Sequence, residues 1–382
     1  MVNAVLAPTL VAEFGLSASG LGLLSSMYFF SFALCQLPVG VAMDRYGPRR
    51  VNAALLLVAA AGGAWFAHAE TAAAAMAARA LVGVGVSACL MASFTAFVLW
   101  YPPERISIMN GVAFSAGAVG AMAATVPLEL LLRVWYWRDA FMLIVAATVG
   151  VSLVLWLWVP ERTARRPTEG LREIVQALVG LLRDAAFQRL AICLGASQFA
   201  AVALQTLWIA TWLRDVASYT PAEVARGLLA VNVAMIVGYL AFGGIADALQ
   251  RRRRNALPLL VGGVGVSSIS LGLLILGCPF SLLLWCLFVG TGTAVVLAYS
   301  ILARRYSSGM AGRTYTAINV FGFIGMFTGQ WAIGLVLGMW PQTARGYAPE
   351  AYPWALAMTW IVQFAGLVWL WRGRAFLQSR AS

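Results

Sequence analysis

An arginine inside an apolar run demands an explanation that a loop arginine does not. Arg79 stands in the stretch 74–100, which carries no other charge. A guanidinium in a membrane interior costs at least ~2.5 kcal/mol on insertion scales unless it meets a partner or a wet cavity. The fourteen carboxylates all lie in loops or near the ends of apolar runs, Glu129 coming nearest to an interior. Two chemistries follow for Arg79. It binds an anion that enters from outside, or it bonds backbone carbonyls or Glu129, or snorkels to the interface. Gln198 and Gln205 are seven residues apart, two helical turns, and so share a helix face; Thr293 and Ser300 do the same. Tyr28, Asn110, Thr293 and Trp208 complete the candidate binding set, each serving equally well as an interhelix hydrogen-bonding group. The five cysteines have no ligand spacing and His68 is the only histidine, so no metal, disulfide or cofactor is expected. No nucleophile–base constellation falls within the apolar runs, and an enzyme is not expected.

The elements that must position these residues are transmembrane helices. Hydrophobic residues make up 62% and charged residues 10% of the 382, and the mean hydropathy is +0.84. A net charge of +12 would suit nucleic acid, but the charges fall in short loops between apolar runs, which a membrane topology explains better. Runs of about 20 apolar residues can each cross a bilayer as a helix. They fall at 20–42, 51–69, 74–100, 107–131, 139–159, 189–213, 224–248, 256–276, 279–303, 314–340 and 353–372. Val2–Ala12 is a shorter one, covering little more than half a bilayer, and is expected to be a truncated first span of twelve. All 26 basic residues are arginine. With the Asp44 loop inside, 20 lie on the cytoplasmic side and 5 opposite, which predicts both termini in the cytoplasm. Between the halves 1–160 and 188–382, the linker 161–187 carries Leu171, Ile174, Val175, Leu178 and Leu182 at helical spacing, an amphipathic helix at the membrane surface or against the bundle.

The loop after the first long run reads Gly40-Val41-Ala42-Met43-Asp44-Arg45-Tyr46-Gly47-Pro48-Arg49-Arg50. A weaker copy follows at one constant offset of 203, with Gly243, Asp247, Arg252 and Arg253 standing for Gly40, Asp44, Arg49 and Arg50. This repeat points to two related halves. The loop resembles the G-x-x-x-D-R-x-G signature of the major facilitator superfamily of secondary transporters, and Arg79-Ala80-Leu81-Val82-Gly83-Val84-Gly85 resembles that family's R-x-x-x-G-x-G element. Trp137-Arg138-Asp139-Ala140-Phe141 and Pro160-Glu161 also fit its patterns.

The resemblance implies an all-α, polytopic twelve-helix bundle of two six-helix halves, with a solute site at the midplane and transport by alternating access. It implies that Gly40, Asp44, Arg45, Gly47, Arg49 and Arg50, with Gly243 and Asp247, form a conformational latch. Gly40 would allow close helix approach, and Asp44 would meet the start of span eleven near Arg313–Thr316. Spans one, four, seven and ten would line the cavity. A membrane carboxylate would carry a coupling proton, for which Glu129 and Glu13 are the candidates. The expected substrate is a small solute, an organic anion leading, and the expected location the bacterial cytoplasmic membrane. A drug/proton antiporter is a second reading, weakened because span five lacks the family's Gly-Pro pair. A membrane sensor or scaffold on the same fold is a third.

Overall fold

A computed structural model describes residues 2–100, 112–113, 116–117, 119–124, 126–160, 179–252, 254–305, 311–341, 343 and 346–373. Within it the chain is almost wholly helical. Ten helices are long and apolar enough to cross a membrane, from Ala18–Gln36 to Pro349–Arg372, and two shorter apolar ones, Val5–Phe14 and Val119–Leu132, stand at the places of the first and fifth expected spans. Their order matches the runs read from the sequence. Bulky apolar side chains such as Leu34, Leu157, Ile269 and Trp354 are more than 60% exposed on these helices. In a bilayer that surface faces lipid, where helix association depends on close packing rather than on apolar burial.

Local chemistry sets the ends. Helix α1 is Val2–Phe14 and α2 is Ala18–Tyr46. Ser17 caps α2 by accepting from the Gly20 N–H at 3.1 Å. Gly47 alone joins α2 to α3 (Pro48–Ala67); it sits at φ +86°, which favours glycine, donates its N–H to the Met43 carbonyl at 2.9 Å, and is followed by proline at the first helical position. The signature's second glycine is thus the turn itself. Thr71 caps α4 (Ala72–Val86), and α5 is Cys89–Trp100. Next come α6 (Val126–Leu132) and α7 (Trp137–Trp158).

Asp184 caps α8 (Ala185–Ala203), which passes through a π-helical stretch, Leu204–Trp208, into α9 (Ile209–Asp215). Thr220 and Glu223 form a reciprocal capping box at the start of α10 (Pro221–Arg251). The remaining helices are α11 (Leu257–Ile275), α12 (Ser281–Gly292), α13 (Leu297–Arg305), α14 (Ala311–Leu337) and α15 (Tyr352–Arg372), with a 3-10 stretch, Thr293–Val296, between α12 and α13.

One long seam fixes the bundle's state. Helices α2 and α14 pack along each other from the arginine-poor end inward. A Cβ on Gly22 would lie 2.7 Å from the Gln330 carbonyl oxygen. Further in, the Phe32 and Phe323 rings stack with centroids 3.9 Å apart, flanked by Phe29 against Phe323 at 6.2 Å and Phe30 against Phe327 at 5.1 Å. Towards the arginine-rich end the picture reverses: a Cβ on Gly40 or on Gly243 would meet nothing within 4 Å. Gly40 and Gly243 thus each face open space among the described residues. The 161–178 part of the linker, which holds most of the expected amphipathic helix, lies outside the described residues.

Candidate functional site

Arg79 is placed by backbone-to-backbone contact. On α4, Gly83 lies against the Ser31 hydroxyl and Tyr28 carbonyl of α2, and Gly85 lies against Ala59 of α3; any side chain there would overlap them. A Cβ on Gly62 of α3 would reach within 2.7 Å of the Val82 nitrogen. Small residues thus pull α4 onto α2 and α3. Arg79 is one turn before Gly83 and so points along the same face. Its guanidinium lies 5.6 Å from the Tyr28 ring centroid and 5.7 Å from that of Phe66.

The guanidinium's other needs are unmet. Its Nε is buried without a hydrogen-bond partner, and among the described residues no carboxylate pairs with it. Two ring faces are worth about 0.5–2 kcal/mol each, yet they leave the Nε–H unsatisfied. A buried unmade hydrogen bond on a charged group costs more than the usual ~1–3 kcal/mol. The arrangement therefore has the charge, the donors and the flat aromatic walls to take a small anion. Tyr28 adjoins Phe29 in sequence and packs on Phe29 and Phe32, so Arg79 lies one ring away from the seam.

The other expected binding residues go to different places. Gln205 is buried and donates from Nε2 to the Asn232 side-chain oxygen at 3.2 Å and to the Met235 sulfur at 2.9 Å, tying the π stretch to α10. Gln198 lies beside Gly322 of α14, where a Cβ would be 3.7 Å from its Cγ. Trp208 is fully buried at the seam and donates from Nε1 to the Gln330 carbonyl at 3.1 Å. Thr293 is buried and bonds the Gly290 carbonyl at 2.6 Å, within its own helix turn. Of the named set, the structure brings Arg79 and Tyr28 together and leaves the rest apart. Asn110 lies outside the described residues.

Both candidate proton carriers are engaged by arginines. Glu129 accepts from Arg133 Nε at 2.9 Å, one turn along α6. Glu13, at the end of α1, accepts from Arg138 and from Trp137 Nε1 at 2.8 Å, while Arg138 also donates to the Ala67 and Ala69 carbonyls at 2.6 and 3.1 Å. A matching arrangement escaped the sequence reading. Asp215, the last residue of α9, accepts from Arg214 Nε at 2.6 Å, from the Tyr352 hydroxyl at 2.7 Å and from the Tyr347 N–H at 3.1 Å. The neighbouring Tyr347 hydroxyl is buried and unpartnered; burial pushes its pKa up to about 12, with Arg214 opposing and Asp215 adding to the rise. A signal was available: Glu13 and Asp215 are 202 residues apart, close to the repeat offset of 203.

In the signature loop, Arg49 donates to the Val159 carbonyl at 3.0 Å and lies 5.8 Å from the Trp156 ring, fastening α3 to the end of α7. Arg50 is exposed and also has an interaction partner. Gly40, Gly47 and Gly243 are placed as described above. The side chains of Asp44, Arg45 and Asp247, and those of Arg313, Tyr315 and Thr316, lie outside the described residues.

The chain is similar to a crystal structure of a bacterial homolog of the human lysosomal transporter Spinster in an inward-facing and occupied conformation, with a TM-score of 0.75, 16% identity, and 98% of this chain and 92% of that one covered. It is 25% identical over 279 residues to the probable sulfoacetate transporter SauU of Cupriavidus necator, covering 68% of this chain and 63% of that protein. It is 28% identical over 163 residues to the uncharacterized transporter YybO of Bacillus subtilis, covering 42% and 38%. It is 24% identical over 404 residues to a D-galactonate transporter of Escherichia coli, covering 93% and 88%. The matches to SauU and YybO thus span less than two thirds of those proteins' lengths. The family model of the Major Facilitator Superfamily matches residues 1–330, and on that match, with the helical bundle to support it, this chain belongs to the Major Facilitator Superfamily.

Proposed function

We propose that this chain is a secondary transporter of a small organic anion, held at Arg79 with Tyr28 beside it. One observation carries the reading: a guanidinium among apolar helices, with a buried unpartnered Nε and no carboxylate mate among the described residues. An anionic solute supplies the missing charge and acceptors, and a charge-assisted hydrogen bond is roughly twice as strong as a neutral one. The names of the relatives support the same class, since sulfoacetate and D-galactonate are both small organic anions.

Transport in this reading follows from the position of the site. A ligand drawn to Arg79 presses on Tyr28, whose neighbours Phe29 and Phe32 belong to the aromatic seam between α2 and α14. The halves 1–160 and 188–382 rock about that seam. When the arginine-rich, cytoplasmic end shuts, Asp44 meets the start of span eleven near Arg313–Thr316, and that closure brings Gly40 against a neighbouring helix.

The test is a thermal-shift and proteoliposome uptake series with sulfoacetate, D-galactonate and a neutral sugar on wild-type, Arg79→Lys and Arg79→Gln protein. At least one anion stabilises and enters with wild-type protein, the neutral sugar does neither, Arg79→Lys keeps part of the response and Arg79→Gln loses it. Unchanged anion affinity in a folded Arg79→Gln protein would overturn the assignment.

A further inference from the structure

The outer face of α15 carries a second feature that the transport reading does not use. Trp360, Phe364, Val368 and Arg372 recur every four residues, flanked by Ile361 and Trp369, and line a shallow groove of about 450 Å³. From Trp360 to Arg372 twelve steps of ~1.5 Å make it about 18 Å long, close to the ~15 Å of one leaflet's share of a bilayer core. Ile361, Phe364 and Trp369 are exposed.

The upper wall is built rather than loose. Trp360 donates from Nε1 to the Ser268 carbonyl at 3.0 Å, and its ring stacks on Phe364 with centroids 5.2 Å apart and an 8° interplanar angle. Gly272 of α11 faces the ring, and a Cβ there would sit in ordinary contact with it, 3.5 Å from Nε1.

The lower end is cationic. Arg372 closes the groove at the last residue of α15. Arg189 of α8 reaches the same place: it donates to the Trp369 carbonyl at 2.6 Å, covers the Trp369 ring at 4.6 Å and runs against Gly373, where any side chain would overlap it. A helix C-terminus carries about half a negative charge, which the Arg372 guanidinium by itself outweighs, while Arg189 serves to tie α8 to it. The groove therefore offers an apolar stripe one leaflet long that ends in net positive charge.

We propose that this groove holds one anionic phospholipid, with an acyl chain along Trp360, Phe364 and Val368 and the headgroup phosphate at Arg372. The charge selects the lipid class, because a zwitterionic headgroup brings its own cation to a site already positive. The lipid bridges the feet of α8 and α15, where Arg189 already ties the two helices.

The experiment compares phosphatidylglycerol with phosphatidylcholine of the same chains, added to protein purified in neutral detergent. Tm and native mass spectrometry are the readouts, with glycerol 3-phosphate as the headgroup-only control. Phosphatidylglycerol is expected to raise Tm by several degrees and to survive as one retained lipid, phosphatidylcholine and glycerol 3-phosphate to do neither, and Arg372→Gln to lose the preference while keeping its Tm in phosphatidylcholine. Phe364→Ala is expected to lose the retained lipid without losing the fold, and reads the same proposal if Arg372→Gln does not purify. Equal stabilisation by both lipids, an equal shift with glycerol 3-phosphate, or wild-type lipid retention in either variant overturns it.

Discussion

Arg79 and Arg138 carry the same group on two helices that both pack on α3, yet their surroundings differ in kind. Arg138 spends its donors on Glu13 and on two carbonyls at the end of α3, and packs over the Trp137 ring. Arg214 is similarly consumed, by Asp215 alone, whose other bonds reach Tyr352 and the Tyr347 amide. Arg79 has two ring faces and a buried Nε with nothing to bond. Folding satisfies the first two arginines by itself. It leaves the third incomplete, which is the state expected of a group whose partner comes and goes.

The contrast is tested by removing groups one at a time. The largest effect belongs to function: Arg79→Gln abolishes anion uptake while raising or preserving Tm, because a buried unpaired donor is removed. Arg214→Ala does the reverse. It strands an Asp215 side chain that is only 1% exposed, and breaking such a pair costs about 3–5 kcal/mol, read as a large fall in Tm with ligand affinity retained in the folded fraction.

Glu13→Gln loses the charge at a pair about one quarter exposed on each side and sets an NH2 donor against the N–H of Arg138 or Trp137, so a loss of about 1–2 kcal/mol is expected. Glu129→Gln stands at the small end. Arg133 is 56% exposed, and an exposed pair of this type contributes about 0.3–0.5 kcal/mol. If uptake in proteoliposomes collapses with Glu129→Gln or Glu13→Gln while Tm holds, these carboxylates carry the coupling proton and the contrast drawn here is too simple.

Much of the fold was legible because lipid imposes a simple grammar. Spans need length and apolarity, and both are local properties of the chain. Arg79 was legible for the same reason, as an exception inside a run. The ties at the arginine-poor end were not, since Glu13 meets Arg138 across 125 residues and Asp215 meets Tyr352 across 137. Nor was the use of Gln205, whose seven-residue spacing from Gln198 suggested a shared ligand face. Its donors go to Asn232 and Met235 instead, partners that no periodicity along one helix can reveal.

The widened turn at Leu204–Trp208 has an evolutionary corollary. It holds one residue more than an α-helix would need, so losing any one of the five would let the helix run straight through. Each residue of α-helix turns the chain by about 100°, but the widened stretch already absorbs one, so such a deletion would leave Asp215 in register with Tyr352. The same deletion in the regular turns of α8 or α9 would rotate Asp215 away, so natural variants should drop a residue inside the five more readily than on either side of them.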